Sequence, residues 1–112
     1  MPKTATRPYS RYAAEAVGYL GNLIRKSRIE RKETAAQLAE RAGVSRGLLQ
    51  RIERGDPGCS VGAVFEVAAL LGIRLFDLDR EALTANNQIA TQTLTLLPSA
   101  ARPTNKPVND DF

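Results

Sequence analysis

Residues 34–55, TAAQLAERAGVSRGLLQRIERG, decide the fold, because they predict two short helices joined by a fixed turn. Thr34 is a good N-cap, and Gln37 completes a capping box for the first helix. Gly43 suits the left-handed backbone position just past a helix end, and Ser45 then caps the second helix. The spacing therefore predicts a helix, a tight turn and another helix.

The second of these helices has two chemically different faces. Leu49 and Ile52 share the face directed at the core. The opposite face is expected to carry Arg46, Gly47, Gln50 and Arg51. Residues 25–54 also hold nine Lys or Arg against four acids, whereas residues 55–81 hold two against five. A basic surface concentrated on one segment indicates a polyanionic partner, which we take to be DNA.

Further helices are predicted on both sides of this unit. From Tyr12 to about Arg31, apolar residues recur at helical spacing, and Arg28 lies on the inward face, where it needs a charged partner. Ser60 is expected to cap a fourth helix. The inward stripe predicted for that helix comprises Val61, Val64, Phe65, Ala68 and Leu71.

The C-terminal third gives a mixed signal. Residues 73–78, IRLFDL, predict a short extended segment with Leu75 and Phe76 packing on the core. Asp79 offers an N-cap for a fifth helix that Pro98 ends, although threonines at positions 91, 93 and 95 favour a strand. The acids Asp77, Asp79 and Glu81 alternate before this helix, which is more typical of capping than of a metal site.

Composition limits the possible functions. A chain of 112 residues, 43% hydrophobic and 25% charged, predicts one small domain. The absence of histidine and the single cysteine, Cys59, leave no zinc cluster and exclude the commonest general base, and no pairing of nucleophile and base is recognisable. We therefore expect no enzymatic activity, metal or cofactor. No membrane span or signal peptide is apparent, which predicts a cytoplasmic protein. Residues 1–12 predict a flexible basic arm and residues 98–112 a disordered, acidic-ended tail.

Residues 20–55 resemble the helix-turn-helix domain of the Cro and phage-repressor type, the XRE class, and with VFEVAALLGI at residues 64–73 the likeness covers about residues 18–76. The matching positions are Leu20, Ile24, Arg25, Arg28, Thr34, Leu38, Ala39, Gly43, Val44, Ser45, Ile52, Glu53 and Gly55. Pattern and resemblance together predict an all-α, compact four- to five-helix bundle, with the DNA-binding domain at residues 13–78 and a C-terminal helix at residues 79–97. The resemblance also implies a structural ion pair between Arg28 and Glu53.

The resemblance implies roles for individual side chains. The recognition helix would enter the major groove, with Arg46 and Gln50 on base edges, Arg51 shared between a base and a phosphate, and Gly47 offering only its backbone. The positions assigned to DNA phosphates are Thr34, Ala35, Ser45, Arg54 and Arg25. Many relatives carry glutamine where this chain has Ala35, so a thinner base readout is expected.

The C-terminal third resembles the antitoxin partners of HipA-type serine/threonine kinase toxins, from LGIRLFDLDRE at residues 71–81 to VNDDF at residues 108–112. This resemblance implies a HipB-like antitoxin of a type II toxin–antitoxin pair, which represses its own operon and binds the kinase. Asp110, Asp111 and Phe112 would then contact the partner, although acidic tails are usually only solubilising.

One small domain makes few base contacts, so useful specificity favours a homodimer with recognition helices one DNA turn apart. The available interface is Leu94 and Leu97 across a twofold axis, or paired strands around Leu75, unless this face covers the monomer core. Two other functions remain open. One is a stand-alone XRE-family transcriptional regulator without a toxin, and the other is a protein-interaction module or enzyme subunit that does not bind DNA.

Overall fold

A computed structural model of the protein describes residues 8–101 and residue 103. This part of the chain contains no strand, and its helices are α1 (Arg11–Glu30), α2 (Ala35–Ala42), α3 (Arg46–Glu53), α4 (Val61–Leu70) and α5 (Arg80–Thr95). The prediction of an all-α fold is confirmed. The chain divides into two compact units, with the boundary between Asp77 and Leu78. The first unit contains α1 to α4, and the second contains α5.

Short polar side chains begin every helix by accepting the amide hydrogen three residues later. These N-caps are Ser10, Thr34, Ser45, Ser60 and Asp79, at oxygen–nitrogen distances of 3.1, 3.1, 3.0, 3.2 and 2.8 Å. Such caps satisfy amides that would otherwise lack a partner at the helix start. Because Ser10 caps α1, the helix begins inside the stretch predicted as a flexible arm, and residues 1–7 of that arm lie outside the described residues.

The core of the first unit is built from one stripe of each of its helices. Its buried side chains are Ile24, Leu38, Ala39, Leu49, Ile52, Val67, Ala68 and Leu71. Helices α1 and α2 each pack against both α3 and α4. Burying an aliphatic side chain of this size contributes about 1.5–3 kcal/mol, so these contacts are what holds α3 in place.

Two details of the predicted fourth helix are wrong. Val61 was expected to point inward but is 65% exposed, whereas Val67 is fully buried. Val61 is the first residue of α4, immediately after its N-cap Ser60, and the inward stripe begins only with the partly buried Ala63. Helical spacing alone does not say at which turn a helix reaches the core.

The prediction of an extended segment at residues 73–78 is also wrong. Leu75–Asp77 form a 3-10 turn in which Phe76 and Asp77 both have a φ of 57°. Leu75 packs against the core, but Phe76 is 72% exposed and makes an edge-to-face contact with Phe65 at a ring-centroid distance of 6.0 Å. Adjacent side chains on an extended segment point to opposite faces. Leu75 and Phe76 could therefore not both have packed on the core from an extended segment. Strand pairing through this segment would require the turn to unwind.

Helix α5 forms despite its threonines. The hydroxyls of Thr84, Thr91 and Thr93 donate to the carbonyl four residues earlier at 2.9–3.0 Å, and Thr95 donates to the carbonyl of Gln92 at 2.6 Å. Each hydroxyl is therefore satisfied within the helix, which offsets the preference of threonine for strands. No residue of α5 is buried. Within residues 8–101 and 103, every helix is too short or too polar to cross a membrane.

Candidate nucleic-acid interface

The link between α2 and α3 is fixed by hydrogen bonds at both ends. Gly43 has a φ of 70° and a ψ of 28°, the left-handed geometry predicted for it. Its amide donates to Glu40 at 3.1 Å, and the amide of Val44 donates to Ala39 at 3.0 Å. Val44 also packs against the core, and Ser45 caps the next helix. The turn therefore sets where α3 starts relative to α2.

One face of α3 is buried and the other is open to a partner. Leu49 and Ile52 lie in the core, and Glu53 is only 8% exposed. The exposed residues of α3 are Arg46, Gly47, Gln50 and Arg51. A Cβ atom added at Gly47 would meet nothing within 4 Å, so the helix backbone can be approached closely there. The side chains predicted to read bases therefore share one accessible surface.

A bidentate ion pair holds the C-terminal end of α3 against α1. Nε and Nη2 of Arg28 donate to the two carboxylate oxygens of Glu53 at 2.7 and 3.0 Å, and Nη1 donates to the carbonyl of Glu33 at 3.0 Å. The side chains of Arg28 and Glu53 are 13% and 6% exposed. The hydrogen bonds to Glu53 raise the pKa of Arg28. The pair joins α1, α3 and the start of α2, so its role is structural.

Glycines permit the close approach of α1 to α3 at the same place. A Cβ atom at Gly21 would lie 2.5 Å from the carbonyl oxygen of Ile52 and 3.0 Å from that of Glu53. Gly18 lies one turn before Gly21 in α1 and approaches Gly55, which follows α3. A Cβ atom at Gly55, whose φ is 76°, would lie 2.8 Å from the Cα of Gly18. Sequence reasoning missed Gly18 and Gly21. Their spacing of three within a helix was the available signal for a close contact between backbones.

Arg51 is already engaged within the protein. Its Nε donates to Asp56 at 2.8 Å, and the other carboxylate oxygen of Asp56 accepts the amide hydrogen of Gly58 at 2.8 Å. These hydrogen bonds, the one from Arg51 first, lower the pKa of Asp56. Only Nε of Arg51 is engaged, so Nη1 and Nη2 keep donors for another contact, but the bond to Asp56 restricts where they can point. Arg46 and Gln50 make no side-chain hydrogen bond within the described residues.

The N-terminal end of α2 presents free amides for an anion. The side chain of Thr34 accepts the amide hydrogen of Gln37 at 3.1 Å, and the side chain of Gln37 accepts that of Thr34 at 2.8 Å. Within residues 8–101 and 103, the amides of Ala35 and Ala36 have no acceptor. Such unpaired first-turn amides suit a phosphate oxygen.

Most acids near this surface are neutralised inside the protein, which leaves a positive excess. The ion pairs join Lys26 to Glu30, Arg41 to Glu33, and Arg28 to Glu53. Among the described residues from 25 to 54, the exposed arginines that form neither an ion pair nor a side-chain hydrogen bond are Arg25, Arg46 and Arg54. Arg46 opens α3, and Arg54 is its C-cap. Each end of α3 therefore carries an exposed arginine that has no ion pair among the described residues.

Two further arginine contacts were not predicted from the sequence. Arg41 forms two hydrogen bonds to Glu33, at 2.9 and 3.1 Å, and thereby lowers the pKa of Glu33. Arg31 donates to the carbonyl of Leu71 at 2.7 Å, which satisfies an acceptor at the C-terminal end of α4. Arg31 and Leu71 are 40 residues apart in the chain, so no local sequence pattern predicts the contact.

The residues predicted for a dimer or partner surface fall into three groups. Leu94 and Leu97 are 67% and 55% exposed, whereas Leu75 is partly buried against the core. Asp110, Asp111 and Phe112 lie outside the described residues.

No group of three or more potential metal ligands occurs among the described residues. Cys59 is a free, partly buried thiol.

Comparison with known protein families identifies the family of this chain. A family model described as a helix-turn-helix domain covers residues 19–83, which is more than half of the chain. The match includes all of α2, α3 and α4 and begins inside α1, before Gly21 and Arg28. No curated protein matches the chain.

Proposed function

Because the chain belongs to the helix-turn-helix domain family, we propose that it represses transcription by sequence-specific binding to operator DNA. The observation that carries this proposal is the two-sided character of α3. Leu49 and Ile52 anchor the helix in the core, while Arg46 and Gln50 are exposed and make no side-chain hydrogen bond within the described residues. A helix fixed on one side and unpaired on the other is suited to reading a groove.

Base recognition is assigned to the first two turns of α3. An α-helix fits the major groove, where arginine can bond in a bidentate manner to guanine and glutamine to adenine. We assign these contacts to Arg46 and Gln50, each worth roughly 1–3 kcal/mol of discrimination. Gly47, between them, lets the helix backbone approach the bases. Arg51, whose Nε is bonded to Asp56, is assigned a contact shared between a base and a phosphate through Nη1 and Nη2.

Phosphate contacts set the position of the helix on DNA. The amide of Ala35, the hydroxyls of Thr34 and Ser45, and the guanidinium groups of Arg25 and Arg54 are our candidates. These groups carry no sequence information themselves, because phosphates are the same at every base pair. Phosphate contacts make the affinity for DNA fall as the salt concentration rises, because each neutralised phosphate releases counterions on binding.

The test is a DNA titration with two duplexes, one selected from a random library and one scrambled, at roughly 50 and 200 mM salt. Replacing Arg46 and Gln50 by alanine should weaken binding to the selected duplex by roughly 100-fold or more. Binding to the scrambled duplex should fall by less than about tenfold. Lys26→Ala is the matched control, because Lys26 is exposed and paired with Glu30 on α1. It removes one positive charge and should leave the preference for the selected duplex unchanged.

We extend the proposal to a cytoplasmic homodimer that acts as the antitoxin of a HipA-type serine/threonine kinase and represses its own operon. The homodimer follows from the need for two half-sites, and the antitoxin role rests on the sequence resemblance of residues 71–112. A gene for such a kinase beside this one, and co-purification of its product with this chain, are the expected findings. Phe112→Ala should weaken that complex and leave DNA binding unchanged.

Two other outcomes would redirect the proposal. DNA binding with no kinase partner would favour a stand-alone XRE-family regulator. Equal, weak binding to the selected and scrambled duplexes, unaffected by Arg46→Ala, would favour a protein-interaction module that uses the helical fold without DNA.

A further inference from the structure

Helix α5 carries an apolar face on which, among the described residues, no side chain is buried. Its exposed large side chains include Ile89, at 58%, and Leu94, at 67%, and two more follow the helix at Leu96 and Leu97. At 3.6 residues per turn, the apolar side chains that share one side of the helix, with a gap between Leu83 and Ile89, are Ala82, Leu83, Ile89, Ala90, Leu94 and Leu97. A single helix of 16 residues is marginal in water, and contiguous exposed apolar residues mark interaction surfaces. We therefore expect this face to be covered.

The charge pattern of the face favours a partner identical to itself. Between Glu81 and Arg102 the sequence has no charged residue. The face therefore offers no charge for a complementary partner to recognise, and two copies can meet without repulsion between like charges. The uncharged face is therefore compatible with self-association.

Two asparagines, Asn86 and Asn87, interrupt the apolar face, and Asn86 lies nearer its middle. Asn86 lies three residues after Leu83 and three and four residues before Ile89 and Ala90. It is exposed, and its side chain forms no hydrogen bond among the described residues. A carboxamide both donates and accepts, so two asparagines related by a twofold axis satisfy each other. A lone asparagine in the seam of paired helices fixes their register and number in this way.

We propose that α5 docks against α5 of a second copy of this chain, with Asn86 facing the partner's Asn86 across a twofold axis. The choice of a second copy rests in part on the proposed function, since reading two half-sites requires two protomers. At 16 residues, α5 is about 24 Å long and offers a strip about 10 Å wide. The interface is smaller than the roughly 1,200 Å² of stable complexes, so the dimer is reversible, with a dissociation constant on the order of micromolar.

The first test is sedimentation velocity of the full chain without DNA, from about 1 to about 200 μM, a range that brackets the expected dissociation constant. The natural chain should shift from monomer to dimer as its concentration rises. Ile89→Glu places two carboxylates in the seam and should weaken association by at least about tenfold. Gln88→Glu is the matched control: it adds the same charge one residue away, outside the apolar face, and should leave the dimer within about twofold. Both substitutions introduce a good helix former at a position that is not buried, so both variants should fold.

The second test locates Asn86. In a Cys59→Ser background, Asn86→Cys should form an intermolecular disulfide under mild oxidation, whereas Gln88→Cys should not. Asn86→Leu should tighten association and populate species larger than a dimer, because the polar contact that limits register is gone. A monomer at every concentration, equal effects of the two glutamate substitutions, or cross-linking at residue 88 but not at residue 86 would overturn the proposal.

These outcomes are separable from the proposed function. A monomer that still binds DNA with the expected salt dependence would refute the α5 dimer and leave the DNA-binding role intact. A dimer that joins through α5 but shows no preference for any duplex would support this inference and refute the function.

Discussion

The contact between α1 and α3 leads to a pair of substitutions with opposite expected effects. At Gly21, an added Cβ atom would stand 2.5 Å from a backbone oxygen of Ile52, whereas ordinary contact begins at 3.4 Å. The two helices would have to separate by about 0.9 Å, and no flexible side chain can absorb the change. Such overpacking costs about 1–3 kcal/mol. Alanine in place of glycine returns about 1 kcal/mol of helix propensity. We expect Gly21→Ala to lower the free energy of unfolding by up to about 2 kcal/mol.

Gly18→Ala is the control, because it makes the same chemical change in the same helix. A Cβ atom at Gly18 meets nothing within 4 Å, so only the propensity gain remains. This variant should be more stable than the natural chain by about 0.5–1 kcal/mol. Urea unfolding followed by circular dichroism measures both, and the order of stability should be Gly18→Ala, natural chain, Gly21→Ala. A Gly21→Ala protein as stable as Gly18→Ala would refute the close packing of α1 on α3.

Three further predictions concern the elements that hold the recognition helix. Glu53→Ala should cost about 3 kcal/mol, since it leaves Arg28 poorly solvated and without its anion, and a double-mutant cycle with Arg28→Ala should recover part of that loss. The pKa of Glu33 is lowered by Arg41 from its ordinary value of 4.5. Its stabilising effect is therefore fully present above about pH 4.5 and is lost as the pH falls through the lower value of the folded state. Acid titration of stability should show this loss in the natural chain and a flatter profile in Arg41→Ala. Gly43→Ala should cost about 1 kcal/mol in thermal unfolding, and Gly43→Asn less, because asparagine tolerates the left-handed conformation better.

The elements predicted well from the sequence are those specified by local chemistry. Thr34, Gln37, Gly43 and Ser45 each act on backbone groups within four residues, so their types and spacing were enough to place α2, the turn and the start of α3. The exposed face of α3 could be predicted once its first residue was known, because Leu49 and Ile52 fix which side of the helix points inward.

The parts that the sequence did not reveal depend on distant or competing partners. The carbonyl that Arg31 caps belongs to Leu71, and the close approach at Gly21 depends on the backbone of α3. Arg51 looks like a base-reading residue by position, but Asp56 beyond the end of the helix engages it. At Phe76, two consecutive left-handed residues reverse a segment whose composition favoured a strand. Apart from the spacing of Gly18 and Gly21, none of these features produces a periodic pattern in the sequence.

The most direct test of the central claim is base-pair discrimination by α3. Binding to a selected duplex and to all its single base-pair variants would be measured for the natural chain and for Gln50→Ala at one salt concentration. The account predicts that the natural chain loses roughly 1–3 kcal/mol at a few positions of each half-site and that Gln50→Ala loses this discrimination at one of those positions only. A uniform loss of affinity across all duplexes, with every preference intact, would contradict the claim that Gln50 reads a base.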